Sequence, residues 1–287
     1  HFQSRARRSR RACRRTTTRV VSQLMSTAMR DQELHVTGAA PEGAADERAA
    51  AQAVQQMFDE ISPRYDLLNH VLSMSVDRLW WWSAARTFRS ALRKPGASAL
   101  DLCCGTGDMA RALRKQAPGT TIVGVDFSRG MLTRGKAKFV QHKIAPVEGD
   151  ALHLPFPDQT FDLVVSAFGF RNLANYDAGL SEIYRVLRPD GQVGILDFSE
   201  PGGVLGRLYG FYFRNVLPKI GTVISGVSGP YSYLPASVSR FPSPAEMIDR
   251  MEAVGYANAS WQPYTFGIAG LYRARKGIVR GESPHNL

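Results

Sequence analysis

No stretch of this 287-residue chain approaches the ~20 consecutive apolar residues that a bilayer-spanning helix needs, although 44 % of its residues are hydrophobic. Cysteine is scarce: Cys13, Cys103 and Cys104 are too few for a disulfide framework. An adjacent pair without suitably spaced partners does not read as a metal site, so no metal is expected and the pair should pack at a strand end in a reducing compartment. Acid is missing from residues 1–30, which hold nine arginines (5, 7, 8, 10, 11, 14, 15, 19 and 30). Those nine account for most of the net charge of +11 and leave only +2 for everything after Arg30. So neutral a remainder argues against a phosphate-tracking surface, and nucleic acid is not an expected partner. An arginine-rich, acid-free start reads as an organellar transit peptide or as residues ahead of a misassigned start, Met25 and Met29 standing downstream; the second reading is preferred. With the Gly/Ala/Glu/Pro stretch that follows, residues 1–46 are expected to be a disordered basic leader outside the fold.

What is present lies between Ala99 and Phe168, where four apolar runs each end in a polar signal. The first run opens onto Asp101-Leu-Cys-Cys-Gly-Thr-Gly-Asp108 and then onto helix-periodic Met109, Ala112 and Leu113, a strand–loop–helix pattern. Gly105 and Gly107 allow a tight turn and close approach of a ligand to the backbone. The second run, Thr121–Val125, ends in Asp126, placed to accept hydrogen bonds from both hydroxyls of a ribose. The third is followed by Asp150-Ala151, and the fourth runs from Phe161 to Phe168. Together they predict an adenosine-containing cofactor at the carboxyl edge of a parallel sheet.

Gly105-x-Gly107-x-x-Ala110 also fits a dinucleotide fingerprint, so a dehydrogenase is the rival reading. Three features favour S-adenosylmethionine. Asp101 can face a cationic methionine portion but would repel a pyrophosphate. Asp150 adds a second carboxylate on the cofactor side, and no second glycine-rich phosphate cradle exists.

The rest of the chain continues the alternation. A helix is predicted over 47–61, and Tyr65 to Trp82 forms a dense aromatic segment. Ser128 and Asp177 are predicted helix caps, and Arg188–Gly191 is a turn before the strand Val193–Phe198. Ser243-Pro244 starts a last helix that Gly255 ends. Asn258–Phe266 and Ile268–Ala274 form a hairpin about Gly267. The expected fold is α/β, a Rossmann-like doubly wound sheet of seven strands, mostly parallel with a C-terminal antiparallel hairpin. The domain is expected over 47–276, with a flexible tail over 277–287. An insertion over 202–235, rich in Leu, Phe and Tyr, reads as a lid for a greasy substrate and a surface in transient contact with a membrane.

These segments together resemble the C-methyltransferases of ubiquinone and menaquinone biosynthesis, class I S-adenosylmethionine-dependent enzymes, from about Val54 to Lys276. Four stretches carry the likeness: Phe58-Asp-x-Ile-x-x-x-Tyr65-Asp66-Leu-Leu-Asn69-x-x-Leu-Ser73 with Trp80; Asp101 to Asp108; Phe168-Gly-Phe-Arg171-Asn172; and Arg185-Val-Leu-Arg-Pro-Asp-Gly191 leading to Asp197. Asp77 stands where that family usually has His, Asp190 where it has Gly, and Asp197 where it has Glu. Some members have Ser at the position of Ala167.

The resemblance implies cofactor contacts from Thr106, Asp126, Asp150 and Ala151, to which the loop reading adds Asp101, Gly105 and Gly107. It implies methyl transfer from S-adenosylmethionine, leaving S-adenosylhomocysteine, to a ring carbon of a prenylated quinol. Arg171 and Asn172 are candidates to stabilise charge and orient the ring, with Tyr231, Tyr233 and His153 secondary. A naphthoquinol (demethylmenaquinol) is the first expectation. The alternatives are the polyprenyl benzoquinol precursor of ubiquinone or another small-molecule acceptor. The expected location is cytoplasmic, peripheral at the inner face of the membrane, or organellar if the leader is a transit peptide. A homo-oligomer is left open.

Overall fold

The computed structural model describes residues 38–39, 41, 44–61, 76–201 and 230–277. Its centre is a seven-stranded sheet: β1 (Ser98–Leu102), β2 (Thr121–Asp126), β3 (Ile144–Glu148), β4 (Phe161–Ala167), β5 (Leu187–Phe198), β6 (Tyr256–Tyr264) and β7 (Ala269–Lys276). The order is β3-β2-β1-β4-β5-β7-β6. The first five strands pair in parallel, while β7 pairs antiparallel with both β5 and β6. This is the doubly wound arrangement expected from the sequence, with its topological switch point between β1 and β4.

Alternation along the strands sends side chains to two cores, because successive residues point to opposite faces. Leu100, Val164 and Ile195 join one core with Tyr176, Leu180, Met247 and Met251. Ala99, Leu163, Val165 and Leu196 join the other with Trp80, Phe88, Met109 and Leu113. The helices that cover these faces are α1 (Glu47–Ile61), α2 (Asp77–Thr87), α3 (Arg89–Leu92), α4 (Asp108–Gln116), α5 (Arg129–His142), α6 (Tyr176–Val186), α7 (Pro230–Arg240) and α8 (Pro244–Val254).

Local chemistry explains most element ends. Ser128 caps α5, its Oγ accepting from Met131 N at 3.1 Å. Ser243 and Glu246 form a reciprocal capping box on α8, which stops at Gly255 with φ +108°. The cap of α6 differs from the sequence expectation. Asn175 accepts from Ala178 N at 2.9 Å, whereas Asp177 sits inside the first turn and pairs with Arg250 at 2.7 Å. Arg188–Gly191 lies within β5, and pairing with β4 jumps from Phe161–Leu187 to Leu163–Gln192, so the turn is absorbed as a register shift. The hairpin is joined by a short 3-10 turn, Thr265–Gly267, and its strands lie about two residues from their predicted bounds.

Most of the 202–235 insertion lies outside the described residues, as do residues 65–75 of the Tyr65–Trp82 aromatic segment, nearly all of the leader and residues 278–287 of the tail. Within the stretch read as leader, Ala39 is buried and its N–H donates to Leu173 O at 2.7 Å, so packing on the domain begins before Glu47. Among the described residues no helix is long and apolar enough to cross a membrane.

Gly194 lets helix and sheet meet closely. A Cβ there would stand 2.5 Å from the Phe88 ring, so the missing side chain is the space that ring fills. Gly194→Ala should therefore cost about 1–3 kcal/mol through overpacking. Urea unfolding checks this, and Phe88→Leu in the same chain should recover part of the loss.

Candidate functional site

At a switch point the loops after neighbouring strands diverge and open a crevice. Here a cleft opens there, lined by Leu102 and Cys103 at the end of β1, Val125 to Phe127 at the end of β2, and Ala167 to Gly169 at the end of β4.

The floor of the cleft is built around Asp126. Its Oδ2 accepts from Gly105 N at 2.8 Å and its Oδ1 from Ser128 N at 2.9 Å, so one buried carboxylate ties the glycine loop to the start of α5. Gly105 holds φ +54°, which a side chain would strain. Burial pushes the Asp126 carboxyl up to about 6, against the pull of those N–H donors. Helix α1 is fastened above it: Gln55 Nε2 donates to Phe127 O at 2.6 Å, and Asp59 Oδ1 accepts from the Ser128 hydroxyl and from Gly130 N. Ala51 and Phe58 thereby face the cleft. On the opposite side lie Asp150, Ala151 and Leu152, with the Asp150 Oδ1 engaged by Leu152 N at 2.9 Å. His153 is exposed and pairs with Asp150 at 3.3 Å.

Three of the loop residues expected to face the cofactor do not line the cleft. Asp101 falls within β1, one residue earlier than a strand end, and is completely buried with Oδ2 accepting from Ala110 N at 2.8 Å. Its Oδ1 is buried without a hydrogen-bond partner. Thr106 is buried and its Oγ1 accepts from Lys138 Nζ at 3.1 Å, a cation that also pairs with Asp108 at 2.9 Å. Gly107 serves packing: a Cβ there would lie 2.4 Å from the Phe139 ring, and one at Gly135 2.6 Å from the same ring.

The Phe168–Asn172 segment also divides. Phe168 has φ +59°, a strained value for a bulky residue, and this turn sets Phe168, Gly169 and Asn172 on the cleft wall. Arg171 is directed elsewhere. Its guanidinium is buried, pairs with Asp197 Oδ1 at 2.8 Å and donates to Phe168 O, while its own N–H donates to Asp197 Oδ2 at 3.0 Å. The completely buried Asp197, 26 residues along the chain, pairs with the guanidinium that the sequence reading offered to a ring oxygen. Asn172 does line the cleft, and its Oδ1 accepts from Tyr233 OH at 3.2 Å. Burial pushes the Tyr233 hydroxyl up to about 12, so it remains a donor at neutral pH. The Tyr231 side chain lies outside the described residues.

Sequence reasoning missed Phe168, Cys103 and Leu173 as cleft walls. A positive φ at a phenylalanine leaves no mark in sequence, but Phe168 closes an apolar strand, which was the available signal. Burial first, then nearby carboxylates, push the Cys103 and Cys104 thiols well above their usual range. No group of three or more metal-ligating side chains occurs among the described residues.

The ubiE/COQ5 methyltransferase family matches residues 45–276, which include every element of this cleft. This chain belongs to that family. A demethylmenaquinone methyltransferase of Deinococcus radiodurans is 47 % identical over 230 residues, covering 79 % of this chain and 94 % of the relative. One from Thermus thermophilus is 46 % identical, covering 75 % and 98 %. A ubiquinone/menaquinone biosynthesis C-methyltransferase UbiE of Geobacter sulfurreducens is 44 % identical, covering 79 % and 90 %. Among solved structures, the (4+2)-cyclase SpnF shares the fold with a TM-score of 0.58 at 16 % identity, covering 84 % of this chain and 98 % of SpnF. A possible histamine N-methyltransferase of Thermotoga maritima shares it at 0.51 and 17 %, covering 78 % and 99 %.

Two tests follow for this UbiE/COQ5 methyltransferase. Burial pushes the Asp101 carboxyl up to about 8 from an ordinary 3.8. The folded chain keeps that proton where the unfolded chain has lost it, so the associated stability is full below about pH 4 and is lost as pH rises toward 8. Urea midpoints from about pH 5 to 8 should fall for the parent relative to Asp101→Asn; parallel curves would contradict this. Arg171→Ala strands a buried aspartate and should cost about 3–5 kcal/mol of stability as well as turnover. A variant that loses turnover at unchanged melting temperature would restore Arg171 to direct ring contact.

Proposed function

We propose that this methyltransferase transfers a methyl group from S-adenosylmethionine to a ring carbon of a reduced, prenylated naphthoquinone, demethylmenaquinol. The reading is carried by the division of the cleft into a carboxylate-centred floor and an apolar wall of Phe58, Phe168 and Leu173. It is supported by the names of the Deinococcus and Thermus relatives. The polyprenyl benzoquinol precursor of ubiquinone is the second reading, favoured by the name of the Geobacter relative.

The residues fit such a donor. Each Asp126 oxygen uses a lone pair on a backbone N–H and keeps acceptor capacity for a ribose hydroxyl. Asp101, completely buried beneath the same loop, supports it by accepting from Ala110 N and does not stand on the cleft wall. When bound, S-adenosylmethionine supplies a methyl group made electrophilic by its sulfonium. The protein's tasks are to align the acceptor carbon with that methyl group and to favour phenolate character at the neighbouring ring oxygen. Tyr233 holds the Asn172 carboxamide by its oxygen, leaving the NH₂ to donate to a ring oxygen. Phe168 offers an aromatic face to the ring, and Phe58 and Leu173 keep water from it. Arg171 acts at one remove, holding the Phe168–Asn172 turn against Asp197. Asp150 and Ala151 border the adenine end. We place the enzyme at the inner face of a membrane, where the acceptor's tail resides.

A labelled-methyl assay comparing demethylmenaquinol, the benzoquinol and a tail-free naphthoquinol tests the reading. The prenylated naphthoquinol should react fastest, its oxidised quinone should be inert, and Asp126→Ala should weaken S-adenosylmethionine binding at least about tenfold. Activity confined to the benzoquinol would establish the second reading. Equal turnover with and without the tail would remove the tail from recognition.

A further inference from the structure

Four large apolar side chains stand strongly exposed among the described residues: Leu79 (65 %), Trp82 (49 %), Val140 (73 %) and Phe266 (83 %). Three of them lie on α2 and on the turn that α2 holds. Leu79 and Trp82 are three residues apart on α2 and share a helix face. Phe266 tops the turn between β6 and β7, and the Trp80 indole N–H donates to Thr265 Oγ1 at 2.8 Å, which clasps that turn to α2. The turn is held under strain: Thr265 and Phe266 have φ of +44° and +58°, a conformation costly for β-branched and aromatic residues. Strain that leaves a phenylalanine 83 % exposed buries nothing within the chain.

The position is functional. Trp80 packs against Phe168 and Phe198 with ring centroids 5.8 and 6.1 Å apart, and Phe168 is a wall of the cleft. The exposed patch therefore borders the carboxyl edge of the sheet, where the cleft opens. The exposed face of α2 is basic: Arg78 and Arg86 are exposed there, whereas its one acid, Asp77, is buried. Glu200 is exposed beside the 265–267 turn, where Ser199 Oγ donates to Gly267 O. Arg86 lies over the Trp82 ring at 5.2 Å. Exposed Trp and Leu flanked by Arg78 and Arg86, with an exposed Phe on the adjoining turn, suit the boundary between lipid headgroups and acyl chains, where apolar rings are buried and guanidinium groups meet phosphates.

We propose that this edge is a docking surface for an anionic lipid bilayer. Leu79, Trp82 and Phe266 enter the headgroup–acyl boundary while Arg78 and Arg86 meet lipid phosphates, and the cleft mouth is brought to the membrane plane. The purpose of docking rests on the prenylated acceptor proposed above; the docking itself does not, so the two are tested separately.

The experiment uses the full chain with vesicles of phosphatidylcholine containing roughly 30 % phosphatidylglycerol, without acceptor. Brominated acyl chains quench tryptophan emission only at close range, so they report on the α2 face and not on attachment through the arginines of residues 1–30. The parent should be quenched. Leu79→Glu with Phe266→Asp should lose at least about tenfold in the vesicle concentration dependence of quenching, Asp being tolerated at the positive φ of position 266. The same variant should keep its melting temperature and its turnover of a tail-free naphthoquinol, or of whichever soluble acceptor the chain accepts. Unchanged quenching in the variant would overturn the proposal. So would a parent that is dimeric without lipid and a monomeric variant with no change in quenching, which would make the patch an interface between two copies. Strong docking by a chain inactive on every quinol would leave the docking surface standing and remove the quinol reading.

Discussion

Three aspartates buried at the carboxyl edge of the sheet, Asp101, Asp126 and Asp197, hold the loops that shape the cleft. None has full access to water, so each must find N–H donors within the protein, and each finds them in the main chain. Asp101 accepts from Ala110 N, Asp126 from Gly105 N and Ser128 N, and Asp197 from Arg171 N and Phe198 N. A desolvated carboxylate with a missing donor is expensive, so these bonds fix loop geometry more firmly than neutral ones would. The Phe168–Asn172 turn depends on this most, because Asp197 also compensates the buried Arg171 charge that holds Phe168 O.

The sheet was legible because burial on both faces writes itself into composition and period. Apolar runs ending in Gly or Asp marked β1, β2 and β4, and the Asn258–Ala274 stretch marked the hairpin. Asp126 was legible too, because its position at the tip of a second strand is set by topology. Thr106, Gly107 and Arg171 were not. The partners that decide their direction are Lys138, Phe139 and Asp197, which lie 26 to 32 residues away and leave no local trace. Asp177 failed as a cap for a similar reason: Arg250 claims its carboxylate, while Asn175 takes the cap.

Fold alone does not choose the chemistry. A cyclase and a methyltransferase both superpose on this sheet at low identity. In the present chain the site is shaped by what stands at the sheet's edge. Helix α1 is pinned over the floor by Gln55 and Asp59, and the Phe168 ring stands where a strained turn puts it.

Phe139 sits against two glycines from different parts of the chain, one in the loop and one a helical turn before it. The second glycine of the Gly-x-Gly signature therefore records two things at once, a left-handed backbone with φ +88° and the size of a ring 32 positions away. Shrinking residue 139 would release neither glycine, because a side chain at 107 would still be strained and a Cβ at 135 would still stand 2.9 Å from the Thr106 carbonyl oxygen. Ring and backbone hold the signature together, so a variant must change both before the glycine spacing can be lost.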